Sequence, residues 1–189
     1  MLNAYYAPIV TAQGDGNAVA NSASQTSLLT GNAAQAKYTF PQNFFQMIGQ
    51  KLKIHAWGRV STLATTPGTL SFDFKFGAAA VFAGGAMTIN VNAQTNTPWI
   101  LDVDLILRVV GASAAFFPVG RWMSHAVIGS SAIGTAGAGT QMLPYNTAPA
   151  VGATFDGGAT QLADLFVTWQ TASASNSIQL HGYELVSCF

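Results

Sequence analysis

The side chains able to do chemistry are few and far apart. The histidines are His55, His125 and His181, and the cysteine is Cys188. No two histidines stand at a His-x-His or His-x₃-His spacing, so none of them forms a sequence-local metal pair. Structural or solvent-facing roles, through aromatic packing or a backbone hydrogen bond, account for all three. A thiol nucleophile needs an activating base, and Cys188 has none in its sequence context. Cys188 reads as a packed residue of the last strand, and a lone cysteine forms no intramolecular disulfide. Asp102 and Asp104 are two apart, which puts them on one face of a strand. A glycosidase sets its acid and base on opposite sides of a sugar. Two neighbours pointing the same way better fit a cation clamp or a charge ladder, neutralised by Arg108 on the same face or by Lys and Arg of adjacent strands. Gly129 to Thr140, GSSAIGTAGAGT, is glycine-rich but lacks the Lys-Ser/Thr that a phosphate loop places after its last glycine. A surface loop is the better account, and the chain has no Gly-x-Ser-x-Gly elbow. No catalytic residue, metal ligand or cofactor is assigned. Aromatics outside a clear core pattern remain: Trp57, Tyr5, Tyr6, Trp122 and Tyr145. Such residues stack sugars or anchor interfaces, and the scarcity of charged neighbours favours the interface.

The elements that carry these residues have a period of two. Leu52, Ile54, Ala56, Gly58 and Val60 alternate with Lys53, His55, Trp57, Arg59 and Ser61, the pattern of a half-buried strand. Leu70, Phe72, Phe74 and Phe76 alternate with Ser71, Asp73 and Lys75. Met87, Ile89 and Val91 make a shorter strand. Trp99, Leu101, Val103, Leu105, Leu107 and Val109 oppose Ile100, Asp102, Asp104, Ile106 and Arg108. Ala115 to Ile128 reads as a strand bent at Pro118-Val119-Gly120. Residues 129–160 read as a long loop or weak strand. Leu165, Val167 and Trp169 begin another strand, Thr171 to Ser177 is a polar turn, and Ile178 to Cys188 is the last strand. Pro41 to Gly49 offers one or two helical turns at most. Many short strands with Gly/Pro turns argue a sandwich, jelly roll or barrel, and the missing crossover helices argue against a parallel sheet.

Composition narrows the function classes. The chain has 189 residues, with 7 Lys+Arg against 7 Asp+Glu, and only 7 % are charged, where a typical domain has roughly 25 %. So sparse and balanced a set makes no basic footprint for nucleic acid. With 50 % of residues hydrophobic, charge-driven disorder is excluded as well. The charge-free stretches are punctuated by polar residues, Gly and Pro, so no membrane helix is expected. No basic residue precedes Lys37, and no signal peptide is expected. Near-zero net charge is poor for a dissolved monomer. The surface is therefore expected to be covered by copies of itself or by a partner.

The chain divides into an N-terminal arm, residues 1–36, and a β-sandwich domain, residues 37–189. The arm is mostly Ala, Ser, Asn, Thr and Gln with turn chemistry at Gly14-Asp15-Gly16-Asn17. Its tip carries Tyr5, Tyr6, Pro8, Ile9 and Val10, which read as a partner-docking segment or as an edge strand of the same domain.

Three stretches resemble a β domain common in tailed-phage virion proteins of the tail-fibre, minor structural and head-decoration types. They are YTFPQNFFQMIGQKLKIHAWGRVST (38–62), TLSFDFKFG with NTPWILDVDLILRVVGASAAFFPVG (69–77 and 96–120), and LFVTWQTASASNSIQLHGYEL (165–185). The resemblance implies a jelly-roll-like antiparallel β-sandwich, a homotrimer, and no enzyme activity. It transfers no active-site residue. The arm and residues 129–160 depart from the family pattern. On this reading the protein is a virion component assembled in the host cytoplasm. It would be a trimeric decoration (cement) protein that binds the major capsid protein or another virion protein across capsomer junctions, or alternatively a tail-fibre module recognising host surface glycan.

Overall fold

Alternation of apolar and polar residues builds two antiparallel sheets whose apolar faces meet. The computed structural model describes residues 6–29, 37–125 and 139–188. In chain order the strands are β1 (Tyr6–Thr11), β2 (Ala18–Ala20), β3 (Thr26–Ser27), β4 (Tyr38–Phe40), β5 (Lys51–Thr62), β6 (Thr69–Phe76) and β7 (Ala79–Ala83). There follow β8 (Met87–Thr88), β9 (Gln94–Val109), β10 (Ala115–Ser124), β11 (Thr140–Leu143), β12 (Gln161–Trp169) and β13 (Ser177–Cys188). The large sheet has the order β1-β13-β5-β9-β10-β11, with β2 also on β13. The small sheet has the order β3-β12-β6-β7, with β4 on β12 and β8 on β6. The fold is all-β, an antiparallel sandwich.

Two aromatic clusters fill the space between the sheets. Trp99 and Trp122 stack with centroids 4.9 Å apart, and Phe72 meets Trp122 at 4.6 Å. Phe45, Phe76, Phe116 and Phe155 form the second cluster, in which Phe116 and Phe155 stack at 5.5 Å. Trp122 is therefore core. It follows Phe116 on the inward period of β10, and Trp99 on β9 supplies its stacking partner.

Several elements differ from the sequence expectation. Residues 6–11 take the edge-strand reading: β1 pairs with β13 from Tyr6–Cys188 to Thr11–Glu184. Beyond it, β2 pairs with β13 and β3 with β12, so the described part of residues 1–36 is laid along both sheets. β7 has no alternating signature, because Val81 and Phe82 are adjacent and both fully buried. Val91 lies past the end of β8 and is exposed. Pro41–Gly49 has single turns and no helix. β10 is not broken at Pro118; its register shift lies between Ala115 and Phe116. β11 reaches only residues 120–123, so Pro118 sits where β10 is the sheet edge and its missing N–H breaks no ladder bond. Of residues 129–160, residues 139–160 contain β11 and bring Phe155 into the core through its bridge to Ala114. Residues 126–128 of the anticipated strand and 129–138 of the glycine-rich stretch lie outside the described residues.

Candidate functional site

The registers of the large sheet assemble its charges into rows on the outer face. His55 is opposite both Glu184 and Asp102, and Asp102 is opposite Arg121. His55 Nδ1 lies 2.5 Å from Asp102 Oδ1, and Arg121 Nε donates to Asp102 Oδ2 at 2.8 Å. Partial burial pushes the Asp102 carboxyl up, but the hydrogen bonds from His55 and Arg121 outweigh it and hold it below its ordinary value. In the next row Lys53 Nζ stands 3.5 Å from Asp104 Oδ1. The Asp104 charge raises the Lys53 ammonium against the opposing effect of burial. The ladder read from Asp102 and Asp104 is thus neutralised from the adjacent strands. Arg108 instead lies over the Phe117 ring, 5.5 Å from its centroid.

These groups line a shallow open depression of about 430 Å³, with Lys53, His55, Asp102, Asp104, Arg121 and Met142 around it. A His–Asp pair is the part that orients a general base. The outward neighbours of His55 are Lys53, Trp57, Glu184 and Asp102, none of them a hydroxyl or thiol nucleophile. What the arrangement does chemically is fix an imidazole and cancel charge. Among the described residues no group of three or more His, Cys, Asp or Glu is placed to hold a metal ion.

Trp57 lies next along the same face. β13 bulges between Leu180 and Gly182, opposite Gly58 and Trp57. A Cβ on Gly58 would meet the Gln179 carbonyl oxygen at 2.0 Å, and one on Gly182 would meet Trp57 Cζ2 at 2.0 Å. Only glycine lets the strands approach and the indole lie against the β13 backbone. Trp57 remains 36 % exposed, and the His55 ring is 5.0 Å away. Arg59 donates to Gln179 Oε1 at 2.8 Å, and His181 Nδ1 is 2.8 Å from Asp15 Oδ1. This platform was not legible in the sequence as a unit; its signal was Gly58 and Gly182 on strands that the alternation makes adjacent to Trp57.

The outer face of the small sheet is organised differently. β3 is the edge strand beside β12, and the side chains of residues 25 and 27 reach onto this face. Gln25 Nε2 donates to Asp73 Oδ2 at 2.6 Å, and Lys75 donates to Gln25 Oε1. Ser27 Oγ donates to Asp164 Oδ1 at 2.6 Å, and Lys37 Nζ is 2.7 Å from Asp164 Oδ2. Burial pushes the Asp73 carboxyl up, beyond what Lys75, the Gly84 N–H and Gln25 restore.

One end of the sandwich is apolar. Gly49 N–H donates to the Leu107 carbonyl at 2.9 Å and Leu107 N–H to the Gln50 carbonyl at 2.8 Å, which sets Met47 and Ile48 beside the end of β9. Met47 is 56 % exposed, Ile48 69 %, Val109 45 % and Val110 39 %. A groove between residues 43–46 and 110–112, with Asp156 on its wall, continues the surface.

The anticipated docking residues separate. Tyr5 lies outside the described residues. Val10 is buried and Ile9 packs on the core, while Tyr6 and Pro8 stay outward. Lys53 Nζ stands over the Tyr6 ring at 5.7 Å. Cys188 is buried, and burial pushes its thiol up. His125 is exposed and Tyr145 packs against the core. In the 171–177 turn the buried Asn176 accepts from Leu63 N–H at 2.8 Å and donates to the carbonyls of Pro67 and Thr171, both at 3.0 Å.

No family model and no curated protein matches the chain. Among solved structures it is similar to the CBM2 module of the evolved Dit of Lactobacillus casei BL23 phage J-1. That similarity covers 79 % of this chain and 67 % of the other, at 8 % identity and a TM-score of 0.31. A likeness of that degree carries no argument about what the protein does.

Proposed function

We propose that the protein is a non-enzymatic structural subunit of a phage particle that works by being covered. In its finer form the reading is a homotrimeric decoration protein that binds the major capsid protein across capsomer junctions. The observation that carries it is the contrast between paired charges and one bare end. Asp102, Asp104 and Asp164 on the outer faces are engaged by neighbours, while Met47, Ile48, Val109 and Val110 stand exposed on the segments joined through Gly49 and Leu107. Clustered exposed apolar residues on a chain of zero net charge mark an interaction surface. The occupant is a second copy of this chain. Arg108 precedes Val109 on β9 and Asp156 lines the adjoining groove, and charges of both signs at one surface suit head-to-tail closure into a ring. The resemblance of the strand motifs to tailed-phage virion domains supports the same reading.

In this reading burial of the patch between copies, at about 25 cal/mol per Å² of apolar surface, holds the trimer together, and its threefold repetition adds avidity where the trimer binds across the junction. The test compares phage particles made with the wild-type protein, with Ile48→Lys, and without the protein. Retention in purified particles and a higher temperature of genome release with the wild type alone are expected. Equal heat resistance in all three would overturn the proposal.

A further inference from the structure

We propose that Trp57 and the side chains around it form a carbohydrate-binding site on the outer face of the large sheet, stacking the apolar face of a pyranose ring on the indole. The inference stands on the geometry of this face and does not depend on the assembly reading. One side of the indole lies against the β13 backbone at Gly182, where any Cβ would collide with the ring. That pins the ring flat on the sheet and turns its other side outward, in keeping with its 36 % exposure. A flat, immobile aromatic ring on a rigid strand gives stacking area at little cost in conformational freedom.

The surroundings decide what stacks there. An aromatic side chain of a protein partner would call for an apolar collar, and Trp57 does not have one. His55 and Arg59 flank it along β5. Gln179, His181 and Glu184 lie on the adjoining stretch of β13. These are planar, hydrogen-bonding side chains, and Arg59 and Gln179 are already held in a fixed pair at 2.8 Å. His55 is likewise held, through Nδ1, by Asp102. A nucleobase would also stack, but it brings phosphates, and Lys53 and Arg121 nearby are already neutralised by Asp104 and Asp102. A neutral polyol with one apolar face fits both features. Its C–H face meets the indole, and its hydroxyls meet Arg59, Gln179 and Glu184.

The test uses intrinsic fluorescence of the full chain. Trp99, Trp122 and Trp169 are fully buried, so a ligand-induced change in emission reports on Trp57. The probes are tetrasaccharides of glucose, galactose and N-acetylglucosamine, with inorganic phosphate as a charge control. A saturable change with at least one sugar and none with phosphate is expected. Trp57→Ala should abolish binding measured by calorimetry, Trp57→Phe should retain a weakened form, and Gln179→Ala should lower affinity several-fold, all with unchanged melting temperatures. Absence of saturable binding to all three sugars, or binding that survives Trp57→Ala, overturns the proposal. So does a Trp57→Ala variant whose only change is loss of an assembled state, since that would make the ring a protein contact.

Discussion

The outer faces of the two sheets each carry aspartates at the middle of a strand, and the two faces treat them oppositely. On the large sheet Asp102 looks out between His55 and Arg121, and their hydrogen bonds win over burial, so its carboxyl is held low. On the small sheet Asp73 is roofed by Gln25, and burial wins over its partners, so its carboxyl is pushed up. The difference lies in what covers the face. From the edge at β3 the side chains of Gln25 and Ser27 reach over β12 to Asp73 and Asp164 and help remove water from these acids, whereas the large sheet leaves its ladder open and supplies cations from neighbouring strands. The small-sheet face is a seam for the stretch around residues 25–27, and the large-sheet face is an open surface with a depression and an aromatic platform.

That contrast can be broken by substitution. The largest effect belongs to the seam. Lys37→Ala strands the buried Asp164 carboxylate with Ser27 alone, and a loss of about 2–3 kcal/mol in urea unfolding at neutral pH is expected. A loss below about 0.5 kcal/mol would show that the seam does not hold the segment. Asp102→Asn comes next, at about 1–2 kcal/mol. Because the folded carboxyl titrates below its unfolded value, its contribution is present above about pH 4 and lost as pH falls through the folded value. The acid limb of the stability curve should therefore flatten in this variant. Asp73→Asn should behave oppositely. A carboxyl raised on folding costs stability once ionised, so the variant should equal or slightly exceed the wild type at pH 7, within about 0.5 kcal/mol. The exposed Lys53–Asp104 pair is also weak: a double-mutant cycle should return about 0.3 kcal/mol, falling with salt.

How much of this was legible in the sequence follows from which physical signal each part leaves. The strands around Leu52–Val60, Leu70–Phe76 and Trp99–Leu107 announce themselves because one face is buried and the other wet. β7 left no such signal, because it buries adjacent residues. The threading of residues 6–29 through both sheets rests on short pieces such as Val19 and Leu28-Leu29, too short to show a period. The pairing of His55 with Asp102 depends on strand register, which local pattern does not encode. The same holds for Trp57 over Gly182, which a bulge in β13 sets. Alternation gave the face on which Asp102 and Asp104 sit, but the identity of their partners needed the sheet order.

If the bare end at Met47, Ile48, Val109 and Val110 is the surface that becomes covered, the mass of the protein in solution must show it. Light scattering on the eluting full chain should give three times the mass of one chain, and an Ile48→Lys/Val109→Lys variant should fall to the mass of one chain with an unchanged melting temperature. A wild type that stays a single chain at high concentration, or a variant that keeps the assembled mass, would contradict it.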